Sequence, residues 1–202
     1  MTILAGVIPD AFVRALDGFE SALARVTPGR WDAPSPCAGW SAADVAGHVA
    51  GDLRATEAFA TGRYDGDGNA HPMSAVGDDP LTTWRAARAD LTAVLNPRAL
   101  DQIVPSPVRL MPLREFLTWC PMEFLVHTWD LAQATGQSAV LDADLVRDAL
   151  EPARQFAPMA RLAGMIGPEY PVAEDADDLT RLLAIFGRRN LRPKPMAVAQ
   201  FE

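Results

Sequence analysis

Hydrophobic residues recur three or four positions apart along most of this chain, which is the spacing of amphipathic helices. In the first such segment Ile8, Phe12, Phe19 and Leu23 follow this spacing, and Pro28 ends it. The same pattern predicts six helices in all, at about 8–26, 42–61, 80–95, 111–135, 142–159 and 177–186. Alternation typical of a strand is absent apart from 107–110, where we expect at most an edge strand. The pattern therefore predicts an all-α fold whose minimal unit is a bundle of four long helices.

Capping residues support several of these boundaries. Ser41 followed by Asp44 resembles a capping box at the start of the second helix. Pro80 suits the first turn of the third helix, and Gly136 is a plausible residue just beyond the fourth. The fifth helix contains two prolines that are expected to kink or shorten it, Pro152 and Pro158.

The remaining segments are predicted to be loops and a C-terminal tail. Residues 62–79 are rich in Gly, Asp, Asn and Pro, which predicts an exposed loop, and prolines make 96–111 irregular. A length of 202 residues fits one domain over 1–202, with a core at about 8–160 and a C-terminal helix and tail at 175–202. The proline-bearing tail from Asn190 is expected to be mobile.

Composition excludes several classes of function. The net charge of −8 argues against binding to nucleic acid or an anionic membrane, and no apolar run approaches the ~20 residues that span a bilayer. Cys37 and Cys120 are the two cysteines, too few for a disulfide scaffold. The first residues lack the basic and apolar regions of a signal peptide, so we expect a cytoplasmic location with free thiols.

An acid and two histidines are placed where apolar residues are expected. Glu123 and His127 lie four residues apart, and they fill gaps in the apolar stripe of the fourth helix. His48 lies beside the apolar side of the second helix, with Asp52 one turn later. A buried carboxylate needs compensation, and a divalent cation bound to the acid and the histidines would provide it. Two histidines and one carboxylate are the ligand set of catalytic zinc sites and of facial-triad iron sites.

Spacing alone leaves other interpretations open. The histidines could be satisfied core residues, and Glu123 could pair with an arginine such as Arg114 or Arg85. The His-Glu-x-x-His pattern of zinc proteases is absent. His71, in the predicted loop, is given no role.

Each of the two cysteines also has two interpretations. Cys120, one turn before Glu123, is either a fourth ligand or a small buried hydrophobe. Cys37, just before the second helix, either has a thiol pKa lowered by the helix dipole or is a packed loop residue.

Three segments resemble a known family. Residues 36–49, PCAGWSAADVAGHV, and 123–136, EFLVHTWDLAQATG, resemble the two metal-ligand helices of the mycothiol-dependent maleylpyruvate isomerase N-terminal domain, in the DinB-like superfamily. The second is often written Glu-x-x-x-His-x-Trp-Asp-Leu-x-x-Ala-x-Gly. Residues 182–188, LLAIFGR, are similar to the closing segment of that group, and the similarity spans about residues 8–190.

The resemblance implies a DinB-like four-helix bundle with additional C-terminal helices. It also implies one divalent metal bound by His48, Glu123 and His127, with Zn²⁺ as in the isomerase, or Ni²⁺ as in some relatives. The family uses a low-molecular-weight thiol such as mycothiol, which ionises on the metal and adds to an electrophilic carbon. Asp52 and Asp130 are then candidates to orient the histidine ligands.

One departure from the isomerase changes the expected substrate. The resemblance implies that the isomerase carries a further C-terminal domain, which is missing or reduced here, so maleylpyruvate itself is not expected. Arg188 is a candidate for holding an acidic group of the substrate, unless it is a solvated residue at a helix end.

The favoured hypothesis is a metal-dependent enzyme that activates a mycothiol-type thiol for addition, isomerisation or S-transfer to a small electrophile. Two alternatives stay open: a hydrolase whose metal activates water, and a non-catalytic bundle that binds a metal or ligand. The expected partners are the thiol and the electrophile, with neither nucleic acid nor membrane, and a homodimer is left open.

Overall fold

The fold is described from a computed structural model, over residues 8–64, 76–77, 79–106 and 108–190. Within these ranges the elements are, in chain order, α1 (Asp10–Ala24), α2 (Ala42–Thr61), α3 (Pro80–Val94), α4 (Pro97–Leu100), β1 (Ile103–Pro105), β2 (Leu110–Pro112), α5 (Leu113–Thr135), α6 (Ala143–Asp148), α7 (Leu150–Leu162) and α8 (Asp178–Ile185). Most of the predicted loop at 62–79, including His71, and the tail after Asn190 lie outside the described residues. The single domain over 1–202 therefore stays a prediction.

The four longest helices, α1, α2, α3 and α5, form the predicted bundle. Helix α2 packs against α3 and α5, and α1 packs against the same two helices from the other side. Aromatic rings fill the centre: the Phe12 and Phe19 rings of α1 lie 5.7 Å from Phe124 and 4.8 Å from Trp84, respectively. These four side chains are almost completely buried, so the bundle closes around them and the all-α expectation is confirmed.

Helix α2 has the predicted bounds because its ends carry strong signals. The Ser41 side chain accepts a hydrogen bond from the Asp44 backbone N–H, and Asp44 accepts one in return from the Ser41 backbone. At the other end, Gly62 adopts the left-handed conformation, with φ of 70°. Both ends of the helix that carries His48 are thus fixed locally.

The segment between α3 and α5 differs from the prediction. Residues 111–112 belong to a strand rather than to the fourth helix, and β1 pairs with β2 in an antiparallel hairpin with Val104 opposite Met111. The short helix α4 was also not predicted, although Asn96 caps it through its side chain. An edge strand was expected at 107–110; Leu110 lies in β2, Val108 and Arg109 do not, and Pro107 lies outside the described residues.

The predicted fifth helix is divided at Ala149 into α6 and α7. Proline has no backbone N–H, so Pro152 cannot donate to the carbonyl of Asp148, and α7 starts with this proline in its first turn. Pro158 lies inside α7 without ending it. Helices α6, α7 and α8 pack against one another, and α6 and α7 also pack against α5. The C-terminal helices therefore lie on the helix that carries Glu123 and His127.

Candidate metal centre

Three predicted side chains meet between α2 and α5. Glu123 Oε1 lies 3.2 Å from His48 Nε2 and 3.3 Å from His127 Nε2. One potential ligand atom from each residue lies within 4.8 Å of the other two. Both histidines are 5% exposed, whereas the Glu123 side chain is 27% exposed. The cluster is thus buried on the histidine side and reached by solvent on the glutamate side.

The local structure explains this convergence. Glu123 and His127 are one helical turn apart on α5, so their side chains stand on the same face. Helix α2 presents His48 to that face, because its neighbours Val45 and Val49 are fully buried. Neither of the arginines considered as partners for Glu123 reaches it, since Arg114 pairs with Asp101 and Arg85 pairs with Glu20.

Asp130 orients His127 from behind. Its Oδ2 lies 3.1 Å from His127 Nδ1, and its side chain is fully buried. Arg188 contacts the same carboxylate, with Nη2 2.8 Å from Oδ2. The ionised carboxylate is only an acceptor, so Nδ1 of His127 carries the proton and Nε2 faces Glu123. The contact is the one that an orienting residue makes, and the orienting role of Asp130 stays a prediction.

Electrostatics favour a charged cluster when no metal is bound. Burial lowers the pKa of His127, but hydrogen bonds to Asp130 and Glu123 outweigh this and raise the pKa to about 9. Burial raises the pKa of Glu123, but the hydrogen bonds from the two imidazoles hold it well below its usual value. Burial likewise opposes ionisation of Asp130, whose pKa is nevertheless lowered by His127 and Arg188.

Asp52 contacts the ring nitrogen of His48 that faces the cluster, whereas an orienting residue would contact the other ring nitrogen. Its Oδ2 is 3.4 Å from His48 Nε2, the same nitrogen that faces Glu123, and its side chain is 22% exposed. An orienting carboxylate contacts the ring nitrogen that points away from the metal. Asp52 is therefore placed beside the cluster, at its more exposed edge, rather than behind a ligand.

Arg188 is not a solvated helix-end residue. It is 9% exposed, and its guanidinium donates to Asp130, to the Phe186 carbonyl and towards the Cys37 sulfur. These contacts take up most of its donors, which disfavours the predicted binding of a substrate acid.

Trp40 is a site residue for which the sequence predicted no role. Its ring stacks on His127 with centroids 5.9 Å apart, and its centroid lies 4.9 Å from that of His48. The loop before α2 holds it in place, because Trp40 N–H donates to the Cys37 carbonyl and Ser35 N–H donates to the Trp40 carbonyl. Its position directly before the capping residue of the helix that bears His48 is a signal that could have identified it.

The cysteines agree with their plainer interpretations. Burial raises the pKa of the Cys37 thiol despite the opposing effect of Arg188, which agrees with the interpretation of Cys37 as a packed loop residue rather than as a thiol with a lowered pKa. Burial also raises the pKa of the Cys120 thiol, which donates to the Phe116 carbonyl at 3.4 Å. Neither sulfur belongs to the ligand cluster found among the described residues.

The cluster fits a divalent metal by its chemistry and spacing. Neighbouring ligands of a tetrahedral zinc ion, each at about 2.0–2.2 Å from the metal, are separated by roughly 3.4 Å. The two nitrogen–oxygen distances of 3.2 and 3.3 Å are close to this value. Two imidazole nitrogens, a carboxylate oxygen and an orienting carboxylate behind one histidine form a ligand set that zinc proteins use.

Comparisons with known proteins match the chain to one family and to two relatives. The family described as the mycothiol maleylpyruvate isomerase N-terminal domain matches residues 12–132, which include His48, Glu123 and His127. The chain is similar to two uncharacterized proteins from two strains of Mycobacterium tuberculosis, each 30% identical over 181 residues, covering 88% of this chain and 96% of the relative. No solved structure matches. Among the described helices, none has the length and apolar character that crossing a membrane requires.

Proposed function

Since this chain belongs to the mycothiol maleylpyruvate isomerase N-terminal domain family, we propose that it is a metal-dependent enzyme that uses a thiol cofactor. The thiol is of the mycothiol type, and it attacks a small electrophile in an addition, isomerisation or S-transfer reaction. The observation that carries the proposal is the convergence of His48, Glu123 and His127 within 4.8 Å. A cytoplasmic location, where thiols stay reduced, belongs to the same proposal.

These three side chains would hold the metal, with Zn²⁺ as the first candidate and Ni²⁺ as the second. A site with three protein ligands keeps at least one position open, as in catalytic zinc centres. A divalent metal bound there supplies a position at which a thiol loses its proton near neutral pH.

The chain's own residues prepare this site. Asp130 holds one proton of His127 on Nδ1, so the proton that leaves when a metal binds is the one on Nε2, which then offers its lone pair inwards. The Trp40 ring stacks on the face of His127 and lies against His48 at a tilt of 58°, so it would shield that side of the cluster from water. Asp52 Oδ2, at the more exposed edge of the cluster, would accept the proton of an incoming thiol.

With an activated alkene, the sulfur would bond to the electrophilic carbon as the π bond opens and its electron pair moves onto the activating carbonyl. Rotation about the former double bond and loss of the thiolate would re-form the alkene, which is isomerisation, whereas protonation of the enolate by water would complete an addition. With an alkyl halide, the carbon–halogen bond would break as the carbon–sulfur bond forms, halide would leave, and the thioether would be the product of S-transfer.

The test combines metal analysis with turnover. We expect the purified protein to contain one divalent metal per chain and to consume activated alkenes or alkyl halides only when both the metal and a thiol are present. His127→Ala should lose metal and activity together, while Asp144→Asn, which removes an exposed carboxylate on α6, should keep both. Equal turnover without thiol would favour a hydrolase, and wild-type metal content in His127→Ala would contradict the ligand assignment.

A further inference from the structure

The end of α8 turns the chain so that one side chain points into the protein. The Gly187 N–H donates to the Ala184 carbonyl, and the Arg188 N–H donates to the Leu183 carbonyl, which together form a Schellman motif. Gly187 has φ of 73°, and a Cβ at this position would lie 3.1 Å from the Pro168 carbonyl oxygen. The left-handed conformation therefore favours glycine, and a side chain here would also crowd the Pro168 carbonyl. The turn sends Arg188 inwards.

Arg188 binds Asp130 through two atoms. Its Nη2 lies 2.8 Å from Oδ2 and its Nε lies 3.3 Å from Oδ1, the fork geometry in which a guanidinium fixes a carboxylate. Its Nη1 donates to the Phe186 carbonyl at 2.7 Å, which anchors the guanidinium to its own turn. Rotation of either side chain would break this buried ion pair and leave the charge of Arg188 without its acidic partner.

The same carboxylate oxygen faces His127. Asp130 Oδ2 lies 2.8 Å from Arg188 Nη2 and 3.1 Å from His127 Nδ1, so the orientation of the carboxylate and that of the imidazole are linked. We propose that Arg188 is a positioning residue of the metal centre, which acts through Asp130 to aim His127 Nε2 at the metal. This inference rests on the proposed metal-binding function.

The proposal gives the C-terminal helices a role in the site. The three candidate ligands lie within residues 12–132, the part that the family profile matches, whereas Arg188 lies far beyond it. Asp130 and Arg188 are 58 residues apart in the chain. A bundle made only of the matched segment would therefore contain the ligands but lack the group that fixes Asp130.

A second arginine provides a matched control. Arg161 on α7 also holds the end of α8, since its Nη2 donates to the Ile185 carbonyl at 2.5 Å and its Nε donates to the Gly167 carbonyl at 3.3 Å. It has no hydrogen bond or ion pair with the metal cluster or Asp130 among the described residues. Loss of Arg161 loosens the same C-terminal segment without touching the path to His127.

The experiment compares Arg188→Met, Arg188→Lys and Arg161→Met in the full chain. Zn²⁺ affinity is measured by competition with a chelator, and the ligand field is measured by the visible absorption of the Co²⁺-loaded proteins. Arg188→Met should weaken Zn²⁺ binding by about 10–100-fold, the usual effect of losing a group that orients a metal ligand, and should change the Co²⁺ spectrum. Arg188→Lys keeps the charge without the fork and should restore part of the affinity.

The inference is overturned if Arg188→Met binds Zn²⁺ with wild-type affinity and spectrum, or if Arg161→Met loses as much affinity. If Arg188→Met does not fold, Arg188→Lys decides: a wild-type affinity and spectrum in that variant overturn the fork contact as the positioning element, and an altered spectrum supports it. Failure of the wild-type protein itself to bind metal would instead overturn the proposed function, and this inference with it.

Discussion

Zinc binding to the metal-free protein should release a proton from His127. Burial lowers the pKa of this imidazole, but hydrogen bonds to Asp130 and Glu123 raise it to about 9. At about pH 7 the group is then roughly 99% protonated. Since Asp130 keeps the proton on Nδ1, the proton that leaves is the one on Nε2, the atom that faces the metal.

The loss of Zn²⁺ affinity caused by this proton follows from the difference between the pKa of His127 and the pH of the experiment. Two pH units correspond to about 2.7 kcal/mol, so Zn²⁺ should bind roughly 100-fold more weakly at about pH 7 than the neutral imidazole would allow. The apparent affinity should rise about tenfold per pH unit through the neutral range and level off near pH 9.

Isothermal titration calorimetry tests this prediction. Titrations at about pH 7 in two buffers with different heats of ionisation should report about one released proton per bound Zn²⁺ from this group. Chelator competition at several pH values gives the slope. Asp144→Asn removes an exposed carboxylate on α6 that pairs with Arg147, and it should leave both results unchanged. An affinity independent of pH, or binding without proton release, would refute the reasoning.

Four further outcomes are expected. Ser41→Ala, which breaks the capping box of α2, should cost about 1 kcal/mol in urea unfolding, whereas an unchanged midpoint would remove the capping argument. Phe124→Ala should lower the free energy of unfolding, measured in urea, by about 3–5 kcal/mol, because the Phe124 ring fills the centre between Phe12 and Trp84. Chelation should lower the melting temperature, since a metal that binds only the folded chain stabilises it; equal melting curves would contradict this. Without metal, the pKa of His127 is raised in the folded protein, so protonation of His127 stabilises the fold. This contribution is complete below about pH 6.5 and is lost as the pH rises through about 9. Urea unfolding at several pH values measures it.

Local signals in the sequence were sufficient where the chemistry of an element is local. The bounds of α2 were predicted correctly because the Ser41 and Asp44 side chains cap its start and Gly62 ends it. The end of α5 was predicted for the same reason, since Gly136 adopts φ of 74°. The meeting of Glu123 with His127 follows from helical spacing alone.

Elements without a strong local pattern were missed. Three-residue strands are too short for alternation to be recognised, so the hairpin of β1 and β2 was not predicted. A kink or shortening at Pro152 was predicted from its missing backbone N–H, but the division into two helices at Ala149 was not, because the apolar spacing continues on either side.

Contacts between distant parts of the chain at the site could not be predicted from the spacing of residues along the sequence. Arg188 was considered as an anion-binding residue because nothing in the local sequence points to Asp130, which lies 58 residues earlier. Asp52 was expected to orient His48, yet the side from which a carboxylate approaches an imidazole depends on how α2 rotates against α5. Such details depend on packing between helices rather than on position along one helix.

The most direct test of the central claim is a crystal structure of the protein grown with Zn²⁺, with anomalous diffraction measured at the zinc absorption edge. The account predicts one strong anomalous peak at about 2.0–2.2 Å from His48 Nε2, Glu123 Oε1 and His127 Nε2. A peak elsewhere, or three side chains in hydrogen-bonded contact with no metal between them under saturating Zn²⁺, would contradict it.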